Sequence, residues 1–446
     1  MLKIGKKTSD SQETESVSAP KNGGGNWFKK NQHIVAIGAI LLIAFLIRFI
    51  DAAGLCIGND YALSGGTSAS EHLHRITNML TGGAIFGLDG ALNYPFGSAD
   101  ANPPLMDLIM GAFAFILNAC GMSASAAAGA SLAWGAVIFG TFAVIPAYLL
   151  GKEILESKVA GYLTAVFVAL CPIAISQTVF SNGTEIGFVM FFTLFMFYFL
   201  FKGIKAMDNG ESTTKYMVLT AVFSAIVSFS WIGARSLYVT IILMMVVQLL
   251  IGRFKGRELM STAIYYSVPV LVGTLVATIF YAINGLLVSV YLGTLLMVVI
   301  SLVFCVLFAA LKEVPWTITI PAFVVGAIVL FVALSFIAPG IFGDIVGGIS
   351  GFVGTYATLI STTLGFSTVA TYFGFVTMWF GLCMVLYRIY ILPKNIDSRA
   401  FVSVLVWMIV GMLFAITSKD NAAIFACTYA VGFAAVIIWI CSRIDF

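Results

Sequence analysis

Asp60, Glu71, His72, His74, Arg75, Asp89 and Asp100 fall within one stretch, residues 51–123, of a chain otherwise dominated by long apolar runs. Carboxylates and imidazoles gathered in this way hold hard cations or move protons. His72 and His74 are read first as interfacial polar groups and second as metal ligands. A second polar cluster, Asn182-Gly183-Thr184-Glu185, follows another apolar run, and its first three residues have the form of a glycosylation sequon. Its closeness to that run argues against modification. Arg48 stands near the far end of the first apolar run, where a long basic side chain snorkels toward headgroups or a loop carbonyl. Trp231 and Arg235 suit an aromatic belt and a snorkelling base. The seven cysteines show no CxxC or Cys/His spacing for zinc, and neither a Walker loop nor a GxSxG elbow is present. Cys56 and Cys120 bracket the polar stretch and are the one disulfide candidate.

The elements that must position these groups follow from composition. Of 446 residues, 60% are hydrophobic and only 10% charged, against about 25% charged in soluble proteins. Apolar runs of roughly 17 to 25 residues match a bilayer crossed by helices, and the ten-residue alternation of a membrane β-barrel is absent. The expected fold is therefore all-α, a polytopic membrane protein of about twelve spans. Residues 1–32 read as a cytoplasmic disordered tail and 33–50 as the first transmembrane helix, retained as an anchor. Residues 51–123 form a large external loop in which the short apolar run Pro104 to Leu117 is an interfacial helix. The transmembrane bundle occupies 124–441, with a further external loop at 339–367 and a cytoplasmic end at 442–446.

This parity places Lys152, Lys158, Lys202, Lys205, Lys215, Arg253, Lys255, Arg257, Lys312, Arg388, Lys394, Arg399 and Arg443 beside the tail on the cytoplasmic side. Such a bias is what the positive-inside rule requires of an integral protein of the cell membrane with a cytoplasmic N-terminus. Only Arg75, Arg235 and Lys419 fall outside, with Arg48 inside the first span. No basic stripe suggests nucleic acid.

The external residues carry a resemblance. Ser64-Gly65-Gly66-Thr67, Glu71-His72-Leu73-His74-Arg75, Asn93-Tyr94-Pro95-Phe96-Gly97 and Asn102-Pro103-Pro104-Leu105 resemble the first external loop of the archaeal and eukaryotic oligosaccharyltransferase catalytic subunits. The segment from Pro172 to Glu185 is similar in placement to that family's second acidic motif. The resemblance implies a GT-C-like membrane fold and transfer of a glycan from a dolichyl-type lipid carrier to Asn of a protein sequon. It implies a divalent ion, Mn²⁺ or Mg²⁺, bridging two external loops, with Glu71 and Glu185 as catalytic carboxylates and Glu71, Asn182 and Glu185 as its ligands. Arg48, His72, His74, Arg75, Lys419 and Asn421 would then face the lipid phosphate or other substrate. Its partners would be lipid-linked oligosaccharide, an acceptor polypeptide and the bilayer.

Several positions depart from the family pattern. Setting Arg75 on the family's Arg puts Ala69 where the first Asp stands, and the second Asp falls on Asn182. The loop from Pro339 to Ser367 contains Asp344 where a Glu is expected, and Asn421 stands in place of an Arg. The family's soluble C-terminal domain is not in the sequence: it is lost, supplied by a partner subunit, or carried on a part of the protein outside this sequence. Two alternatives stay open: a non-catalytic paralogue that binds lipid-linked glycan or assists an active subunit, and a transporter or flippase. The latter ranks lower, since the spans hold few ionisable residues and no inverted repeat.

Overall fold

A computed structural model describes residues 23–443 apart from 84, 341, 344, 345 and 347–363. The chain opens with α1 (Gly23–Gly58) and α2 (Gly66–Thr81), followed by the two-residue strands β1 (Leu88–Asp89) and β2 (Ser98–Ala99) and by α3 (Leu105–Ala119). The strands pair antiparallel, Leu88 with Ala99 and Asp89 with Ser98. Then come α4 (Ala124–Phe142), α5 (Val144–Leu155), α6 (Lys158–Leu170), α7 (Pro172–Ser176), α8 (Ile186–Asp208), α9 (Thr214–Ser228), α10 (Arg235–Phe254) and α11 (Met260–Ile283). The described chain ends with α12 (Leu292–Ala310), α13 (Trp316–Ile337), α14 (Leu364–Phe373), α15 (Phe375–Asn395), α16 (Arg399–Phe414), α17 (Lys419–Ile424) and α18 (Ala426–Cys441).

Nine helical stretches among the described residues are long and apolar enough to cross a bilayer, and each overlaps an expected span. The other three expected spans are the shorter apolar helices α6, α9 and α16. The helix breaks have local causes. Pro172 opens α7, and Cys171 before it is extended, as a residue preceding proline prefers. Gly374, at φ 83°, separates α14 from α15 in a conformation that other residues rarely adopt. At the start, helix already includes residues 23–32, assigned above to the tail, because extending a formed helix costs little per residue. Residues 1–22, the 444–446 end and most of the 339–367 loop, Asp344 included, lie outside the described residues.

The bundle core joins Leu194, Phe197 and Phe201 of α8 to Tyr265 and Tyr266 of α11 and to Trp407 and Met408 of α16. At the periphery α13 exposes Ile318, Val324, Val325, Ile328 and Val329. Thr319 is its one buried residue. In water such a belt would be severely destabilising; in lipid it is the natural surface. The protein is an integral membrane protein.

Its two ends differ in charge. α8 begins beside Glu185 and ends at Asp208, a rise of about 35 Å. At the Asp208 end, Arg399 pairs with Asp208 at 3.5 Å and Lys205 with Glu156 at 2.8 Å. There too, Lys255 and Arg257 meet Asp397 at 3.0 and 3.2 Å. At the Glu185 end lie α2, the hairpin and the start of α3, a helix of 15 residues.

Cys56 and Cys120 are both free, and Cys56 is buried as apolar filler against Ala133, Val137 and Phe180. One expectation is corrected here. Arg48 does not snorkel. It is fully buried, its Nε donating to Thr178 Oγ1 at 2.7 Å and its Nη atoms to the carbonyls of Ala44, Val168 and Ala169. Those carbonyls lie at the C-terminal end of α6, just before Pro172, and in the preceding turn of α1, so the guanidinium fills acceptors that a helix end leaves open.

α15 and α18 cross at glycine: a Cβ on Gly432 would come 2.7 Å from Gly381 Cα. Gly432→Ala should therefore lower stability by about 1–3 kcal/mol through overpacking. Gly54→Ala, where a Cβ meets nothing within 4 Å, should not. Thermal unfolding of both variants in detergent checks this.

Candidate functional site

The site begins where two loops touch. Ser64 donates its backbone N–H to the Ser181 carbonyl at 2.6 Å, and the two hydroxyl oxygens are 2.8 Å apart. Glycine is required on both sides of this seam. A Cβ on Gly65 would collide with the Asn182 carbonyl, and Gly183, at φ 69°, lies against Leu63. The Ser64-Gly65-Gly66 segment thus lays the start of α2 beside the start of α8.

α2 turns Ala69, His72, Arg75 and Ile76 inward, one helical face, and α3 turns Met106, Asp107 and Met110 inward to meet them. His72 is completely buried between two carboxylates: its Nδ1 is 2.7 Å from Asp107 Oδ1 and its Nε2 is 3.0 Å from Glu185 Oε2. Ser68 donates to the same Glu185 oxygen at 2.9 Å. Arg75 holds the other oxygen of Asp107 at 2.5 Å, pairs with Asp100 and donates to the Asn102 carbonyl at 2.8 Å. Burial works against a charge on His72, but Asp107 and then Glu185 outweigh it and push the imidazole from 6.5 up to about 10. Burial likewise opposes charge on Glu185, yet His72 and Ser68 hold its carboxyl below the usual range.

Glu71 follows a different course. One residue from His72 is about 100° around a helix, and Glu71 accepts from Asn102 Nδ2 at 2.6 Å. Burial, and then the nearby Asp100, push its carboxyl up. Glu71 and Glu185 share no hydrogen-bond partner. His74 turns outward to Asp89 of β1 at 2.7 Å, where Asn78 also donates at 3.1 Å. Asn182 bends its side-chain oxygen back onto Thr184, taking the backbone N–H at 3.1 Å and also the hydroxyl.

Two cavities open at this end. One, of about 860 Å³, is lined by Ser68, Gln177, Asn182, Glu185, Tyr372 and Lys419 among others. The second, of about 910 Å³, is lined by Trp231, Arg235, Val239, Val288, Met297 and Asn421 and is the more apolar. Asp420 lines both. Of the residues singled out in the sequence, Asn182, Glu185 and Lys419 thus line the first cavity, with His72 buried directly behind Glu185. Asn421 lines the second and accepts from Ser236 at 3.1 Å. Arg75 stabilises the network from the side of α3. Arg48, packed on carbonyls, is not free to meet a phosphate, and His74 belongs to the hairpin.

Ser68, Asp100, Asp107 and Asp420 were not singled out as site residues. Asp107 carried a readable signal, being the only charge in the otherwise apolar run Leu105–Ala119, where a lone buried carboxylate needs a partner. The residues expected to share a divalent ion spend their oxygens differently. Glu71 takes Asn102, Asn182 takes Thr184, and Glu185 Oε2 takes His72 and Ser68. Among the described residues no three His, Cys, Asp or Glu side chains converge as a metal site. As arranged, this donor set does not fit a divalent ion.

The family model for the N-terminal region of oligosaccharyl transferase STT3 matches residues 80–440. The chain belongs to the STT3 family. It is 30% identical over 142 residues to a dolichyl-diphosphooligosaccharide–protein glycosyltransferase subunit, STT3B of Arabidopsis thaliana, an alignment covering 32% of this chain and 18% of that one. Its fold is similar to the oligosaccharyltransferase AglB of Archaeoglobus fulgidus solved with an inhibitory peptide and a dolichol-phosphate. The TM-score is 0.73 at 16% identity, over 94% of this chain and 51% of that one. A structure of the same archaeal enzyme with Zn and sulfate matches with TM-score 0.61 at 17% identity, over 92% of this chain and 49% of that one. The chain therefore spans about half the length of these archaeal structures. The all-helical GT-C-like architecture expected from the resemblance is the observed one.

The network makes stability depend on pH at both ends of the scale. Because the folded pKa of His72 is raised, its contribution is complete below about 6.5 and fades as pH rises through about 10. Glu185, shifted down from 4.5, contributes fully above that value and loses its share on acidification. Melting temperature should form a plateau at mildly acidic pH and fall on either side. His72→Ala should cost about 3–5 kcal/mol, the cost of breaking a buried ion pair, and flatten the alkaline slope. Melting curves of both proteins across pH check this.

Proposed function

We propose that this chain is an oligosaccharyltransferase, transferring a glycan from a lipid carrier to Asn of a protein sequon on the outer face of the cell membrane, with its N-terminus cytoplasmic. The observation that carries the proposal is the placement of the buried, ionised Glu185 in the wall of a polar cavity that meets an apolar cavity at Asp420. Family membership and the archaeal fold support the same reading. So does the basic end of the bundle, which the positive-inside rule assigns to the cytoplasm.

In this reading the lipid chain lies against Val239, Val288 and Met297, with its phosphate toward Arg235. The acceptor enters beside Glu185 and Lys419. The bond between sugar C1 and the phosphate oxygen breaks, and the phosphate leaves with the electron pair. A bond forms between C1 and the carboxamide nitrogen, whose proton passes to the departing phosphate. Glu185 is held by His72 and Ser68 in the ionised state, so it accepts a hydrogen bond from the carboxamide and orients its nitrogen toward C1.

Membranes supplied with a lipid-linked oligosaccharide and a sequon peptide should form glycopeptide. Glu185→Gln should slow transfer by about 10²-fold or more, and Arg235→Ala should weaken binding of dolichyl phosphate by about tenfold, or 1.4 kcal/mol. Transfer unchanged in Glu185→Gln would contradict the assignment of that residue. Binding without transfer in the wild-type chain would favour a non-catalytic role.

A further inference from the structure

The acidic centre of this chain is built around a histidine. His72 is wholly buried and meets a carboxylate oxygen at each ring nitrogen, Asp107 at 2.7 Å and Glu185 at 3.0 Å. Nε2 is hydrogen-bonded to Glu185, whereas Nδ1 lies close to Asp107 without hydrogen-bond geometry. We propose that His72 and Ser68 occupy the Glu185 oxygen that a divalent metal ion would need, and that the cavity beside it binds its lipid-phosphate ligand without metal. The ligand class rests on the function proposed above; the charge arrangement does not.

A divalent ion of this kind needs six or more oxygens at about 2.0–2.6 Å, and three features stand against it here. Glu185 Oε2 already accepts from both His72 and Ser68. An ion on that oxygen would have to displace both of these partners. The remaining candidates are committed elsewhere, Glu71 to Asn102 and Asn182 to Thr184. Nor can the ring swing away cheaply, because Asp107 anchors it from behind and Arg75 anchors Asp107 at 2.5 Å. Moving His72 would strand a fully buried carboxylate. The phosphate charge of a ligand is left to Arg235 and Lys419, which line the second and first cavities respectively.

The test uses the intact chain in nanodiscs. Titration with Mn²⁺, followed through the electron paramagnetic resonance of the free ion, should show no saturable site. Excess Mn²⁺ should leave the ¹⁵N resonances of the His72 ring unbroadened. Binding of a short polyprenyl phosphate, read from tryptophan fluorescence, should agree within about twofold between EDTA and Mn²⁺. A saturable Mn²⁺ site that broadens the His72 ring signals would overturn the proposal without recourse to any variant. So would a loss of about tenfold or more in polyprenyl-phosphate affinity on adding EDTA. If the lipid phosphate fails to bind under either condition, the donor reading above falls, while the Mn²⁺ titration still decides the present proposal.

Discussion

A buried charge must find its counter-charge inside the protein, and in this chain that requirement is met at His72. Its imidazole joins α2 to α3 through Asp107 and to the start of α8 through Glu185. Three segments distant in sequence are held together by a single ring. The Ser64–Ser181 seam fixes the approach of the backbones, and the ion pairs fix their register. Without the seam, Glu185 would face open solvent and the wall of the polar cavity would lose its charge.

The rest of the Glu185 end is arranged around that constraint. Arg75 continues the network outward to Asp100, so charge alternates from the buried core of the site to its rim. The hairpin and His74 close the outer side, and Tyr281 of α11 donates to the Ala101 carbonyl at 3.1 Å, tying the loop to the bundle. Asn284 accepts from the Gly87 N–H at 2.8 Å and ties down the near side of the hairpin. The loop is therefore a built part of the protein, and its Ser64, Gly65, Gly66 and Ser68 line the first cavity. That rigidity is what a transfer reaction between two large substrates needs, since small misplacements of reacting groups are costly.

Much of this was legible in the sequence. Long apolar runs marked the spans because only helices satisfy their own backbone in lipid: the runs 236–251, 262–281 and 318–338 became α10, α11 and α13 to within three residues at either end, whereas α8 continues seven residues past the run 186–201. The Ser-Gly-Gly segment and the Asn182–Glu185 cluster pointed to each other through family resemblance, and they meet. Partner choice was not legible. Glu71 and Glu185 looked like a pair because both are acidic, but helical rotation turns Glu71 toward Asn102 and presents His72 instead. Arg48 looked like a headgroup ligand because of its depth in the span. Its true partners are helix-end carbonyls of α6 that only the tertiary fold brings near.

The account depends on His72 being doubly protonated within a closed network. The most direct measurement is the ¹⁵N and ¹H spectrum of its ring in the intact protein, at a pH above the ordinary histidine range. Two nitrogens that each carry a proton, with slow exchange, are the expected result. A neutral ring with one bare nitrogen would contradict the account, since His72 would then carry no charge to set against Asp107 and Glu185.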